Sequence, residues 1–192
     1  MPKKIYAESK RKKTNPLVKE VWEFKIKQTP SRNKHISYSA LSTYNKCPKK
    51  WELMYLRNEI PFTQNIYTCF GTAMHETLQT YLETLYHDKV KTANEININQ
   101  LLYDNMIKSY KSGKAINGHT HFSSAEQLQE FWLDGKHILE FIKKKRAAYF
   151  STKTAKLAGI ETLLYQEIRP GVMFKGLVDL IFYHPNTDRW TV

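Results

Sequence analysis

Ten residues, from Phe174 to Tyr183, constrain the fold of this 192-residue chain more than any other segment. They form an almost continuous run of aromatic, β-branched and other apolar side chains, interrupted by one lysine, one glycine and one carboxylate. The run is short and lies between two turn-forming sequences, Pro170-Gly171 and His184-Pro185-Asn186. It therefore predicts a buried β-strand rather than a helix.

The single carboxylate of this predicted strand, Asp179, needs an explanation. An ionised carboxylate in apolar surroundings must be paired, coordinate a metal or take up a proton. Two ordinary explanations are a buried salt bridge and a strand register that turns Asp179 to solvent. A metal ligand is the third, and Gly176 would leave room for one because glycine has no side chain. The strand alone favours the ordinary explanations.

The remaining segments divide into predicted helices followed by predicted strands. Helical patterns cover residues 36–56, with a break at Pro48, and then 68–87, 97–111 and 123–150. Residues 159–169 and 172–183 form a predicted antiparallel hairpin, and Arg189 begins a third strand. This order predicts an α+β fold in which N-terminal helices precede a mixed β-sheet.

The net charge of +12 is concentrated at the N-terminus, where residues 1–35 contain eleven Lys or Arg and three Glu. We divide the chain into this basic arm and a domain at 36–192. The arm is either a solvated tail or a segment that contacts nucleic-acid phosphates, and the sequence does not decide between them. In the second case its contacts would include the basic run Lys10, Arg11, Lys12 and Lys13.

Cysteine content and hydropathy argue against secreted and membrane-spanning classes of protein. Two cysteines, Cys47 and Cys69, do not make a disulfide framework. The sequence has no apolar run of about 18 residues and no apolar stretch of the kind found in a signal peptide. We therefore expect a cytoplasmic protein that does not act at a membrane.

Histidines give weaker signals when each is considered alone. His75 lies one helical turn after Gly71, beside the apolar stripe of the helix predicted at 68–87. Such a histidine is more often a core or surface residue than a ligand. His119 and His121 form a His-x-His pair, but their loop is rich in Gly, Ser and Asn, which predicts that they are solvated.

Four motifs occur in an order that resembles one nuclease family. They are Ser-Tyr-Ser-x-Leu-x-x-Tyr-x-x-Cys-Pro from Ser37, Gly-x-x-x-His ending at His75, the glutamate Glu161, and Gly-x-x-Asp ending at Asp179. This order resembles the RecB-type branch of the PD-(D/E)xK nucleases, which includes the RecB and AddB nuclease domains and the CRISPR-associated Cas exonucleases of the fourth type. The resemblance implies a restriction-endonuclease-like core from about residue 36 to the end.

The resemblance also implies a catalytic role for each matching residue. His75, Glu161 and Asp179 would be the catalytic and metal-binding residues, with Glu167 a weaker competitor for the place of Glu161. Carboxylate oxygens with one imidazole suit Mg²⁺ or Mn²⁺. The activity implied is metal-dependent hydrolysis of DNA phosphodiesters by an exonuclease. Its setting would be repair, recombination or phage genome processing, in the cytoplasm of a bacterial or phage-infected cell.

The implied partner is DNA, as single strands or duplex ends. Outside the arm, the residues expected to contact it are Lys49, Lys50 and Lys175. The family's next motif, a carboxylate, one residue and a lysine, should begin where Val192 ends the sequence. We therefore expect a truncated third strand, with the motif supplied by a missing segment or by a second polypeptide.

Some family members hold an iron–sulfur cluster, and Cys47 matches its first cysteine position. Four thiolates are required and the chain has two cysteines, so we expect no cluster and a structural role for Cys47. Two alternatives to a nuclease stay open. One is a non-catalytic DNA-binding module with a degenerate or incomplete nuclease fold. The other is an unrelated α+β protein, in which His75, Glu161 and Asp179 would not cluster.

Overall fold

A computed structural model describes residues 35–192 of the chain. The predictions made for residues 1–34, including contacts of Lys10, Arg11, Lys12 and Lys13, lie outside the described residues. In chain order the elements are β1 (His35–Ser37), α1 (Tyr38–Lys46), α2 (Pro48–Trp51), a π-helical segment (Glu52–Leu56), α3 (Ile66–His87), α4 (Val90–Glu95), α5 (Ile98–Ile116), α6 (Ala125–Tyr149), β2 (Lys156–Arg169), β3 (Val172–His184) and β4 (Arg189–Thr191).

The sheet is mixed and β3 is its central strand, which confirms the predicted α+β fold. Strand β2 is antiparallel to β3 along almost its whole length. On the other side of β3, β1 pairs in parallel with Met173–Lys175 and β4 pairs in antiparallel with Phe182–His184. Strand β1 was not predicted, because three residues have too little periodicity to indicate a strand.

The long helix α3 is fixed at its start by a reciprocal cap. The Asn65 side chain accepts a hydrogen bond from the backbone N–H of Thr68, whose hydroxyl accepts one from the backbone N–H of Asn65. Such a cap satisfies backbone donors that the first helical turn leaves without partners, and it contributes about 1 kcal/mol. The cap sets where α3 begins, and therefore where His75 lies along it.

The main core lies between the helices and one face of the sheet. Most of its members come from α3, α5, α6, β2 and β3, and they include Tyr81, Leu82, Leu102, Leu139 and Phe182. Burying side chains of this size stabilises the fold by about 1.5–3 kcal/mol each. The core therefore holds α3 against the sheet.

Within the described residues no helix is both long and apolar enough to cross a membrane.

Two details of the sequence interpretation were wrong. The first is the end of the helix predicted at 97–111, since α5 in fact continues past Gly113 to Ile116. Gly113 is buried, and a Cβ there would lie 2.5 Å from Cγ of Gln64 and 2.9 Å from Cε1 of Phe122. The glycine thus permits close packing inside a helix, which sequence alone cannot distinguish from a loop signal.

The second correction concerns the burial of β3. Only its last part is buried, at Ile181, Phe182 and Tyr183, whereas the Leu177 side chain is exposed. Asp179 is also exposed, with 75% of its side chain accessible. An apolar sequence predicts burial along the whole strand, but the helical layer covers β3 mainly near its C-terminal end. Asp179 is therefore solvated, and the free-energy cost of burying an ionised carboxylate does not arise.

Candidate active site

Three side chains from three different elements meet at one point on the molecule. His75 comes from α3, Glu161 from β2 and Asp179 from β3. Nε2 of His75 lies 3.2 Å from Oε1 of Glu161 and 4.0 Å from Oδ1 of Asp179. The structure thus brings together the three residues that the motifs singled out, and their catalytic and metal-binding roles stay a prediction.

Strand register places the two carboxylates side by side. Ile160 pairs with Leu180 and Thr162 pairs with Val178, so Glu161 and Asp179 occupy the intervening positions of the same ladder. Directly opposite residues in antiparallel strands have their Cβ atoms about 4.5–5.5 Å apart. Like charges at such positions destabilise the sheet unless a cation lies between them.

Nε2 of His75 is buried and has no hydrogen-bond partner. Glu161 is within ion-pair distance, at 3.2 Å, but the angles do not satisfy a hydrogen bond. An unsatisfied buried polar atom typically costs about 1–3 kcal/mol. This nitrogen therefore points toward two carboxylate oxygens without the partner that would offset its burial.

Glu161 has an unusual backbone conformation, with φ of 46°. A non-glycine residue in the left-handed region costs about 1–3 kcal/mol, and such residues concentrate at functional sites. The pairing of β2 with β3 is also irregular between Leu157 and Gly159, just before this residue. Irregularities of this kind redirect side chains next to active sites. The bend explains how a strand residue presents its carboxylate to His75.

Sequence reasoning missed the contribution of Gly159 to this bend. A Cβ at Gly159 would lie 2.3 Å from Oγ1 of Thr162, so any larger residue would force the Thr162 side chain, next to Glu161, to shift. An isolated glycine within a predicted strand is the signal that could have found it. By contrast, a Cβ at Gly176 would make only an ordinary contact, 3.7 Å from Cε1 of Phe174. Gly176 is therefore not required for close packing among the described residues.

The donor set of the cluster suits a hard divalent cation. Two carboxylates and one imidazole are ligands that Mg²⁺ and Mn²⁺ accept. Neighbouring ligands on an octahedral ion with bonds of about 2.1 Å lie about 3 Å apart, close to the observed His75–Glu161 separation. Between residues 35 and 192, however, no three His, Cys, Asp or Glu side chains stand in the arrangement of a complete metal site. The chemistry fits, and the ligand set is partial.

The other predicted site residues lie elsewhere. Glu167 lies near the end of β2, where its Oε1 accepts a 2.7 Å hydrogen bond from the backbone N–H of the turn residue Gly171. Lys49 pairs with Glu52 at 2.8 Å, and Lys175 lies in β3 opposite Tyr165 of β2. Glu167 therefore supports the hairpin turn from the end of β2, six residues along the strand from Glu161.

Cys47 and the two loop histidines have local structural contacts. The thiol of Cys47 accepts a 3.4 Å hydrogen bond from the backbone N–H of Lys50, so it caps α2. The two ring nitrogens of His121 lie 2.8 Å from the Tyr110 hydroxyl and 2.9 Å from Nζ of Lys114. His119 and His121 are both exposed, as predicted, and His121 also contacts Lys114, which the longer α5 places beside it.

One family comparison bears on this site. A family model described as the PD-(D/E)XK nuclease superfamily matches residues 35–192. The match includes every residue of the cluster formed by His75, Glu161 and Asp179. No curated protein and no solved structure gives a significant match to the chain.

Proposed function

The chain belongs to the PD-(D/E)XK nuclease superfamily, and from this membership and the site geometry we propose that it is a metal-dependent deoxyribonuclease. We assign it to the RecB-type branch, acting as an exonuclease on DNA ends in repair, recombination or phage genome processing. The observation that supports this most directly is the convergence of His75, Glu161 and Asp179 around an unsatisfied imidazole nitrogen. We propose these three residues as the metal-binding and catalytic set.

The exposure of the two carboxylates fits a substrate as large as DNA. The side chains of Glu161 and Asp179 are 49% and 75% accessible, so a phosphodiester can reach them without opening the fold. Alone, two carboxylates repel a phosphate, and this explains why the reaction would depend on a cation. When bound, Mg²⁺ or Mn²⁺ supplies an activated water and stabilises charge on the phosphate.

A gap beside Asp179 offers a position for the family's carboxylate-x-lysine motif. On the side of β3 where β1 and β4 pair, residues 176–181 have no strand partner among those described. A strand entering this gap would run directly alongside Asp179. We propose that the motif occupies this position and is supplied by a further segment or by a second polypeptide. The residues described here then form one part of the active site.

The test combines metal binding with cleavage. Mn²⁺ binding to the 192-residue chain is measured by calorimetry and by the rise in Tm, and both should weaken strongly in Asp179→Asn and Glu161→Gln. In a chain or complex that carries the lysine motif, Asp179→Ala should abolish cleavage of end-labelled DNA, and His75→Ala should reduce it strongly. Full cleavage by the Asp179→Ala protein would refute the proposed site.

One observation favours a second candidate function, a DNA-binding module without catalysis. The cluster is not a complete metal site among residues 35–192, and the chain carries a net charge of +12. This candidate predicts DNA binding with no measurable Mn²⁺ affinity at Asp179. Loss of Mn²⁺ binding in Asp179→Asn decides for the nuclease.

A further inference from the structure

Three aromatic side chains, Tyr44, Trp51 and Tyr55, form a ladder of rings on the surface of the N-terminal helices. The rings of Tyr44 and Trp51 meet edge to face at 5.4 Å, and those of Trp51 and Tyr55 are stacked at 6.3 Å with an interplanar angle of 26°. Tyr44 is 47% exposed and Tyr55 is 40% exposed. None of the three belongs to a hydrophobic core cluster of the described residues. We call this set the aromatic ladder.

The local backbone holds the ladder in place. Helix α1 ends at Lys46, and Cys47 caps α2 through its thiol and so fixes the turn between Tyr44 and Trp51. The π-helical segment Glu52–Leu56 follows at once and carries Tyr55. Such segments are rare and are found frequently at functional sites. The cap of α2 and the π-helical segment therefore fix the backbone that carries the three rings.

Positive charge surrounds the aromatic ladder. Between residues 38 and 57 the chain has four basic side chains, Lys46, Lys49, Lys50 and Arg57, and one acidic side chain, Glu52. The carboxylate of Glu52 contacts both Lys49 and Arg57, and the hydrogen bond from Lys49 holds the pKa of Glu52 below its ordinary value. Arg57 also pairs with Glu59 at 3.7 Å, so a surplus of two positive charges stays available to an anionic partner.

We propose that the aromatic ladder binds single-stranded DNA by stacking its bases, while the neighbouring lysines contact phosphates. This combination of rings and basic residues is typical of surfaces that bind single strands. Cores of protein–protein interfaces, in contrast, are depleted in lysine. The inference rests on the proposed function, since it identifies single-stranded DNA as the substrate that would reach the candidate active site.

The position of the ladder is consistent with such delivery. Helix α1 follows β1 directly, and Ser37 of β1 pairs with Lys175 of β3. Four residues of strand separate Lys175 from Asp179, a length of about 13 Å. The helix that carries Tyr44 therefore begins beside β3, four residues along that strand from Asp179.

The experiment measures binding without cleavage. Fluorescein-labelled oligo(dT) and a blunt duplex are titrated with the full chain in EDTA, and anisotropy gives Kd over a range of salt concentrations. Trp51→Leu keeps an apolar side chain but removes the aromatic face, and we expect it to weaken oligo(dT) binding between about 5-fold and about 150-fold. Trp51→Phe should retain most of the affinity. Binding of the duplex should change little, because its bases are already stacked.

Matched variants separate stacking from charge and from misfolding. Lys50→Gln should lower the slope of log K against log salt by about 0.7, the value for one phosphate contact on a single strand. Trp51→Leu should leave that slope unchanged. Tyr103→Ala removes a ring of similar exposure, 48%, on α5, and it should bind like the wild type. Circular dichroism of each variant identifies any that fails to fold, in which case Tyr55→Leu replaces it.

Each outcome decides the proposal. Equal oligo(dT) affinity in folded Trp51→Leu, Tyr55→Leu and wild-type protein would overturn it and would leave a protein as the partner of these rings. Ladder-dependent binding in EDTA, together with no metal-dependent cleavage by the completed enzyme, would refute the nuclease proposal alone. Cleavage without ladder-dependent binding would refute only this inference.

Discussion

Replacing Glu161 by glycine and by alanine tests whether the candidate site stores backbone strain. Both substitutions delete the same carboxylate, so both remove its repulsion from Asp179 and its contact with His75 equally. They differ in backbone preference, because alanine keeps a Cβ at the observed φ of 46° and glycine does not. A difference in stability between the two variants therefore reports on the backbone at residue 161.

The expected magnitude follows from two opposing terms. A left-handed conformation costs an L-residue about 1–2 kcal/mol, and glycine relieves that cost. Glycine also makes the unfolded chain more flexible, which lowers stability by about 0.4–1 kcal/mol relative to alanine. We expect Glu161→Gly to exceed Glu161→Ala in the free energy of unfolding by about 0.5–1 kcal/mol. In a chain of this length that corresponds to roughly 1–4 °C in Tm.

Urea unfolding followed by circular dichroism measures both variants beside a matched pair at Gln166. This exposed residue of β2 has no positive φ, so Gln166→Ala should be more stable than Gln166→Gly by about 0.5–1 kcal/mol, the ordinary order. Reversal of that order at Glu161 is the signature of strain. Alanine as stable as glycine at residue 161 would refute the left-handed backbone and the inference drawn from it.

Three further predictions concern other parts of the chain. Burial raises the pKa of Tyr86 to about 12, so the stability its neutral form contributes is present below pH 10 and is lost as the pH rises through 12. Tyr86→Phe should flatten this alkaline loss of stability in urea titrations at pH 9–12. Gly135→Ala would place a Cβ 2.5 Å from Cδ2 of the fully buried Leu102, and crowding should exceed the gain in helix propensity, which lowers Tm. Deleting residues 1–35 should reduce the salt dependence of DNA affinity if the arm contacts phosphates, and an unchanged slope would mean that it does not.

Sequence predicted those parts of the fold that have strong local periodicity. The helix at 68–87, the helix at 123–150 and the hairpin correspond closely to α3, α6 and the β2–β3 pair. Strand β1 escaped prediction because its pairing with β3 joins residues about 138 positions apart and only three residues take part. The exposure of Asp179 could not be predicted for a related reason, since the helices that determine which part of a strand is covered are distant from it in sequence.

Identification of the candidate site depended on residue order rather than on local structure. No local signal indicated that His75 would face Glu161, because their contact joins a helix to a strand that lies far away in the sequence. The left-handed backbone of Glu161 is equally invisible in the sequence, where glutamate between Ile160 and Thr162 is an unremarkable strand residue. The motifs identified the residues, and the structure was needed to determine the distances between their side chains.

Three unfavourable features coincide at this one place in the fold. A buried nitrogen of His75 lacks a hydrogen bond, the carboxylates of Glu161 and Asp179 are adjacent in the ladder, and Glu161 has a strained backbone. Each costs stability, and natural proteins bear such local conflicts chiefly where function requires them. A divalent cation would offset the first two together, since it accepts the lone pair of the imidazole and neutralises both carboxylates. The strained backbone thus occurs at the residue whose carboxylate lies 3.2 Å from Nε2 of His75, where a bound cation would use it.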